Sequence, residues 1–340
     1  MANLDAFITG LPKVELHVHH VGSASPRTVA ALAARHEGRS PVPVDPAALE
    51  RYFEFRDFAH FIEVYLSVVD LIRDAEDVRL LTYEVARDLA GQQVRYAELT
   101  ITPYSHVRRG IPADEFCAAI EDARHAAERE LGVVLRWCFD IPGEAEGAGA
   151  SEQTLDIALR QRPDGLISFG LGGPEVPRPP FAEVFAKARA EGLRSVPHAG
   201  ETSGPQSIWD ALDHLGAERI GHGIGCVQDD RLMAHLAERQ IPLEVCPTSN
   251  VRTRAVTSLA EHPLPAMVAA GLHITINSDD PPMFGTTLNN EYAIAARLLD
   301  LDRAGLARLA GQAVRASFLP ADQQARLLTE IDSYLAANPG

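Results

Sequence analysis

Eight short apolar segments, each followed by a stretch of helical periodicity, predict an α/β fold. The pattern is that of a (β/α)8 TIM barrel with a helical insertion after strand one and extra C-terminal helices. The length of 340 residues is ordinary for one such barrel with insertions. Composition agrees, since 46% hydrophobic and 23% charged residues suit a soluble chain with a large core. No linker, repeat or low-complexity segment divides the sequence, so residues 1–340 are expected to form one domain.

The elements follow in order. Lys13 to His19 alternates polar and apolar residues after Pro12, the period of a strand. Ser25 and Pro26 read as the N-cap and first residue of a helix through Arg35, and Gly38 to Pro46 as a loop. From Asp57 to Leu71, Phe58, Phe61, Ile62, Tyr65, Leu66 and Val69 recur at helical spacing. This is the insertion, expected over the pocket mouth because it follows directly on the first strand. Asp77 to Ala90 reads as another amphipathic helix. Strands two to eight are expected at Val94–Ile101, Val133–Phe139, Leu166–Gly170, Leu193–His198, Arg219–His222, Pro242–Cys246 and His273–Asn277. Helices separate them at 113–131, 151–160, 181–191, 206–215, 231–239 and 264–270, and the Gly- and Ala-rich stretch 144–149 reads as a loop. Three more helices run to about Ala337.

A net charge of −16 argues against nucleic acid or an anionic membrane as partner, since both need a basic surface. No apolar run approaches the roughly 18 residues of a membrane span. Met1 to Gly10 lacks the features of a signal peptide. Cys117, Cys138, Cys226 and Cys246 are scattered without a C-x-x-C, so they are expected reduced, with Cys138 and Cys246 packed in strands. These readings point to the cytoplasm and a small-molecule partner, and leave monomer and homodimer both open.

His17 and His19 lie two apart on a strand, so they project to one face as two nitrogen ligands would. In such barrels the active site lies where strands end. Polar residues gather there: Gly170 to Glu175, His198 to Glu201, Gly221 to Gly223 and Asn277 to Pro282. Taken singly, His198 and His222 read as structural histidines, Asp279-Asp280 as a turn and Glu201 as a helix-start charge. Together, three histidines and a carboxylate make a four-ligand zinc or iron site. Asp279 and Asp280 are neighbours, so both reach one pocket only if the strand breaks, and Pro281-Pro282 gives a reason for it to break.

His17-Val18-His19, His198-Ala199-Gly200-Glu201, Gly221-His222-Gly223 and Ser278-Asp279-Asp280-Pro281 resemble the signatures of the adenosine deaminase family, within the amidohydrolase superfamily. Leu11-Pro12-Lys13 and Glu244-Val245-Cys246-Pro247 also match, and the resemblance runs from about Leu11 to Tyr292. It implies that His17, His19, His198 and Asp279 hold one Zn²⁺, with Fe²⁺ as the other candidate. Zinc lowers the pKa of its water to about 7. His222 would orient that water as base or electrostatic partner, helped by Asp279. Glu201 would protonate the purine nitrogen N1, for which burial must keep it protonated. Asp280 would contact N7 and the Gly173 N–H would meet N3. Binuclear relatives use a lysine at the end of strand four; no lysine lies between Lys13 and Lys187, which implies a single metal.

Nucleoside deaminases of this family carry an acidic residue, which binds the ribose 5′-hydroxyl, where this chain has Val21. Valine cannot accept that bond. The resemblance therefore implies a 6-aminopurine nucleoside with an enlarged 5′ group, foremost 6-aminodeoxyfutalosine of menaquinone biosynthesis, with adenosine as the alternative. The aromatic stretch Phe53 to Tyr65 would pack on the added ring. Arg56, Arg108 and Arg178 are the candidates to pair with its carboxylate.

Overall fold

The computed structural model describes residues 2–36, 38, 40–143 and 148–339. Its strands are β1 (Lys13–His19), β2 (Val94–Ile101), β3 (Val134–Pro142), β4 (Leu166–Gly172), β5 (Arg194–Ser195), β6 (His198–Ala199), β7 (Ile220–His222), β8 (Leu243–Val245) and β9 (Ile274–Ile276). All pairs are parallel, in the orders β1-β2-β3-β4-β5 and β6-β7-β8-β9. Helices intervene, as parallel neighbours require.

The fifth expected strand, Leu193–His198, is two pieces. Pro197 has no N–H to give a ladder. Pairing with β4 ends where Val196 N donates to Phe169 O at 3.0 Å, and Gly221 N takes over on Pro197 O at 3.0 Å. β5 and β6 thus share one barrel position, which leaves the eight expected. The ring closes between chain ends: Asp279 N donates to His17 O at 3.0 Å, and His19 N to Asp279 O at 2.9 Å. Closure therefore seats Asp279 between the two histidines of β1.

The helix Pro26–Arg35 starts as expected, with Ser25 accepting from Thr28 N. The insertion helix is Phe58–Val69, and Asp57 is its N-cap, accepting from His60 N at 2.9 Å. Phe61 packs on Phe284, ring centroids 4.8 Å apart, and Phe55 touches both. Five helices were not expected, one of them the single turn Pro281–Phe284 after the last strand. Ala2–Gly10 precedes the barrel, and the buried Lys13 ammonium donates to Ile8 O and Leu11 O at its end. Pro46–Tyr52 begins in the stretch read as a loop, with Asp45 accepting from Ala48 N; Arg39 of that stretch lies outside the described residues. Pro103–Val107 and Pro247–Arg252 are short turns beyond β2 and β8. Residues 144–147 of the expected 144–149 loop also lie outside the described residues, and a helix runs Ala148–Gln161. All four cysteines are buried thiols; Cys138 is in β3, but Cys246 sits one residue past β8, where Pro247 starts a helix. Among the described residues, no helix is long and apolar enough to cross a membrane.

Candidate metal centre and catalytic cavity

Strand ends supply the side chains, as the barrel geometry dictates. His17 and His19 come from β1, His198 from β6, His222 from β7, and Asp279 follows β9. Two of these residues hold unusual backbone: His222 has φ 61° and Asp279 φ 64°. The left-handed region is costly for residues other than glycine and clusters at functional sites. Here it breaks the regular alternation, and Asp279 and Asp280 both line the same cavity. The break lies at Asp279 itself, one residue before the position where Pro281 acts.

His19 Nε2 lies 3.2 Å from Asp279 Oδ1 and 3.2 Å from His198 Nε2, while His17 Nε2 lies 3.4 Å from the same Asp279 oxygen. Four ligands at roughly 2.0–2.1 Å from a tetrahedral ion stand about 3.3 Å from one another. His222 also lies within 4.8 Å of His17, His198 and Asp279, and the three separations fit a small divalent cation. So does the hydrogen bonding: buried His17 Nε2 has no hydrogen-bond partner among the described residues. Its Nδ1 donates to Glu244 Oε2 at 2.9 Å, the orientation that turns Nε2 toward an ion. Glu244 is itself held by Arg219 Nε at 2.6 Å, and the Arg219 guanidinium also reaches Glu98 and lies 4.0 Å from the Phe318 ring.

Electrostatics point the same way. Burial disfavours a charged His17, yet the Asp279 and Glu244 carboxylates outweigh it and push the ring up to about 10. Burial of His19 is likewise outweighed, by Asp280 and Asp279, to about 9. His198 and His222 are pulled down, by burial first, His222 to about 4. Asp279 is held well below the usual carboxylate range despite burial, by His17 and His19. The cluster thus draws positive charge.

The centre opens into a cavity of about 590 Å³, counting space open at its mouth. Glu201 lines it, with Oε1 accepting from Thr253 Oγ1 at 2.9 Å and Oε2 lying 3.7 Å from His222 Nε2. Burial, then the charge of Asp279, pushes Glu201 up to about 8, so the acid is protonated at neutral pH. Asp280 is raised to about 7 by burial and by Asp279, against the pull of His19. Gly173, in the left-handed region at φ 74°, also lines the cavity, as do Phe58, Phe61, Ile62 and Tyr65 of the insertion helix.

Some expectations need correction. Val21 is buried and is not among the described residues lining the cavity; the chain turns at Gly22, where a Cβ would stand 1.5 Å from Asp280 Oδ1. Arg178 is not a free loop cation: its Nη2 donates to His198 O at 2.5 Å and to Glu175 Oε1 at 3.3 Å. Arg56 and Arg108 are exposed.

Sequence reasoning also passed over several residues. Glu175 accepts from the backbone N–H groups of Gly200, Thr202 and Ser203 at 2.5–2.7 Å, pinning the loop that carries Glu201. Ser249 Oγ donates to Asp279 Oδ2 at 2.5 Å, and Asn250 Nδ2 meets His222 Nδ1 at 3.1 Å. Asp140 lines the cavity from β3. Asp140 inside β3 and Glu175 past β4 carried the signal of polar side chains at apolar strands; Ser249 and Asn250, within the helix Pro247–Arg252, carried none.

The adenosine deaminase family model matches residues 12–334. An aminodeoxyfutalosine deaminase of Streptomyces avermitilis is 68% identical over 339 residues, covering 98% of this chain and 94% of that protein. Among solved structures, an adenine deaminase from Arthrobacter aurescens superposes with a TM-score of 0.90 at 33% identity, covering 96% of this chain and 99% of that one. An amidohydrolase from Burkhoderia ambifaria with bound Zn superposes with a TM-score of 0.89 at 28% identity, covering 99% and 95%.

Proposed function

The chain belongs to the adenosine deaminase family, and from that premise we propose that it hydrolyses the C6 amino group of a 6-aminopurine nucleoside, aminodeoxyfutalosine foremost, releasing ammonia. His17, His19, His198 and Asp279 would hold one Zn²⁺ in this reading. A divalent cation so held supplies Lewis-acid activation of water at neutral pH.

The chain's own residues do the rest. One observation carries the reading: the buried Glu201 carboxyl, its pKa pushed up by burial, faces the same cavity as the histidine–aspartate cluster. A carboxylic acid there can donate to a ring nitrogen and make the adjacent carbon electrophilic. Thr253 Oγ1, bonded to Ser249 O at 3.0 Å, lies 2.9 Å from Glu201 Oε1 and orients the carboxyl. Asp280, raised to about 7, can donate to a second purine nitrogen. Gly173 brings main chain to the base edge, and the insertion helix covers it with aromatic rings. The enzyme works as one domain in the cytoplasm.

The substrate assignment is supported by the 68% identity to the Streptomyces avermitilis aminodeoxyfutalosine deaminase. It is tested by kcat/KM for aminodeoxyfutalosine, 5′-methylthioadenosine, adenosine and adenine. Aminodeoxyfutalosine should lead adenosine by about tenfold or more. Adenosine or adenine as the best substrate would overturn the assignment.

A further inference from the structure

His222 can give a proton to the cavity or take one from it, depending on which ring nitrogen is protonated. A backbone amide decides this through two intervening side chains. The Leu264 N–H points at His262 Nδ1 across 3.1 Å. A backbone N–H only donates, so that Nδ1 is bare and the His262 proton lies on Nε2. His262 Nε2 in turn lies 3.2 Å from Asn250 Oδ1, an N–H against a carbonyl. The amide cannot be reversed, because its NH₂ would then face the His262 N–H. Its NH₂ therefore points to His222, with Nδ2 3.1 Å from His222 Nδ1. A donor at Nδ1 requires a bare nitrogen, so His222 is neutral with its proton on Nε2.

All three side chains are buried, His222 at 1%, Asn250 at 0% and His262 at 4% exposure, so solvent does not compete for these bonds. His222 Nε2 faces the cavity, 3.9 Å from the Asp279 carboxylate oxygen Oδ2, an acceptor, and 3.7 Å from Glu201 Oε2. Ligand-atom spacing alone would admit His222 to the metal cluster, since it lies within 4.8 Å of His17, His198 and Asp279. A protonated Nε2 has no lone pair to offer an ion, which leaves that place to His19.

We propose that Leu264, His262 and Asn250 form a tautomer lock on His222. The lock makes His222 a hydrogen-bond donor to the attacking oxygen rather than the base that deprotonates it. Asn250 and His262 are positioning residues, since they act through His222. The inference rests on the deaminase reading of the cavity but not on the identity of the nucleoside.

The test is a long-range ¹⁵N–¹H NMR spectrum of the zinc-loaded protein labelled with ¹⁵N-histidine, which separates the two neutral tautomers. A His222→Asn variant serves to assign the signal. Wild type should show His222 as the Nε2–H form. Asn250→Asp presents only acceptors to Nδ1, so the proton should move to Nδ1 and kcat should fall about a hundredfold with zinc content unchanged. His262→Gln can still donate to Asn250 Oδ1 and should keep the wild-type tautomer. An Nδ1–H ring in wild type, or Asn250→Asp with wild-type kcat, would overturn the lock. If Asn250→Asp does not fold, the wild-type spectrum decides alone. The Nε2–H form in a protein that deaminates no aminopurine would sink the functional reading and leave the lock standing.

Discussion

Glu201 shows how burial turns a carboxylate into an acid. Its pKa is raised to about 8, so the proton is present below that value and lost as pH rises through it. If Glu201 donates to the base, kcat/KM should fall on the alkaline side of about pH 8. Glu201→Gln should lower kcat by roughly 10²–10⁴-fold. An unchanged kcat in that variant would remove Glu201 from the chemistry and favour hydrolysis of a substrate that needs no ring protonation. The histidines and acids at strand ends were readable in the sequence because polar residues stand out in apolar strands. Glu175 was legible only as a polar residue beyond β4, and Asn250 and His262 were not legible. Their roles depend on partners such as Thr202, 27 residues from Glu175, or His222, 28 residues from Asn250. Val21 was read from its place after His19, but the chain turns at Gly22, close against Asp280, and Val21 is buried.

At the level of elements, the tight turn after β1 is where the chain admits least change. A Cβ at Gly22 would stand 1.5 Å from Asp280 Oδ1, 2.4 Å from its Cγ and 2.7 Å from its Cβ, so Gly22→Ala must displace that carboxyl. The expected outcome is a fall of about tenfold or more in kcat/KM, with metal content unchanged. Steady-state kinetics and metal analysis check it, and wild-type kinetics would show that Asp280 is not placed where substrate feels it. The long, strongly patterned elements were legible: Ser25-Pro26 starts one helix, and the aromatic repeat marks another. Shorter ones were not. Pro46–Tyr52 and Pro103–Val107 are too brief for a hydrophobic period to emerge. The split of β5 from β6 was legible in principle, because Pro197 cannot pair, but reading the segment as one strand passed over it.

For the whole molecule, alternation of strand and helix revealed the barrel, while closure by Asp279 against β1 depends on residues some 260 positions apart. Buried groups also tie the fold to pH. His106, stacked on Phe116 with ring centroids 5.2 Å apart, is pushed down to about 3 by burial and then by the charges of His20 and Arg109. Its ordinary value near 6.5 returns on unfolding. Below that value the unfolded chain binds a proton that the folded chain refuses, so stability falls as pH falls. His106→Phe removes this penalty. The unfolding free energy of wild type relative to the variant should drop by about 1.4 kcal/mol per pH unit between about pH 6 and 4. Urea unfolding at several pH values measures it, and a pH-independent difference would show that His106 is protonated in the fold.

His17, His19, His198 and Asp279 meet at the ends of the barrel strands, and the proposed chemistry depends on their sharing one cation. The most direct measurement is metal content beside ammonia release, in protein as purified, stripped with a chelator, and titrated with Zn²⁺. One equivalent per chain should restore activity fully, and Asp279→Asn should bind metal weakly and stay inactive. Full activity in stripped protein, or a requirement for two equivalents, would contradict a single shared ion.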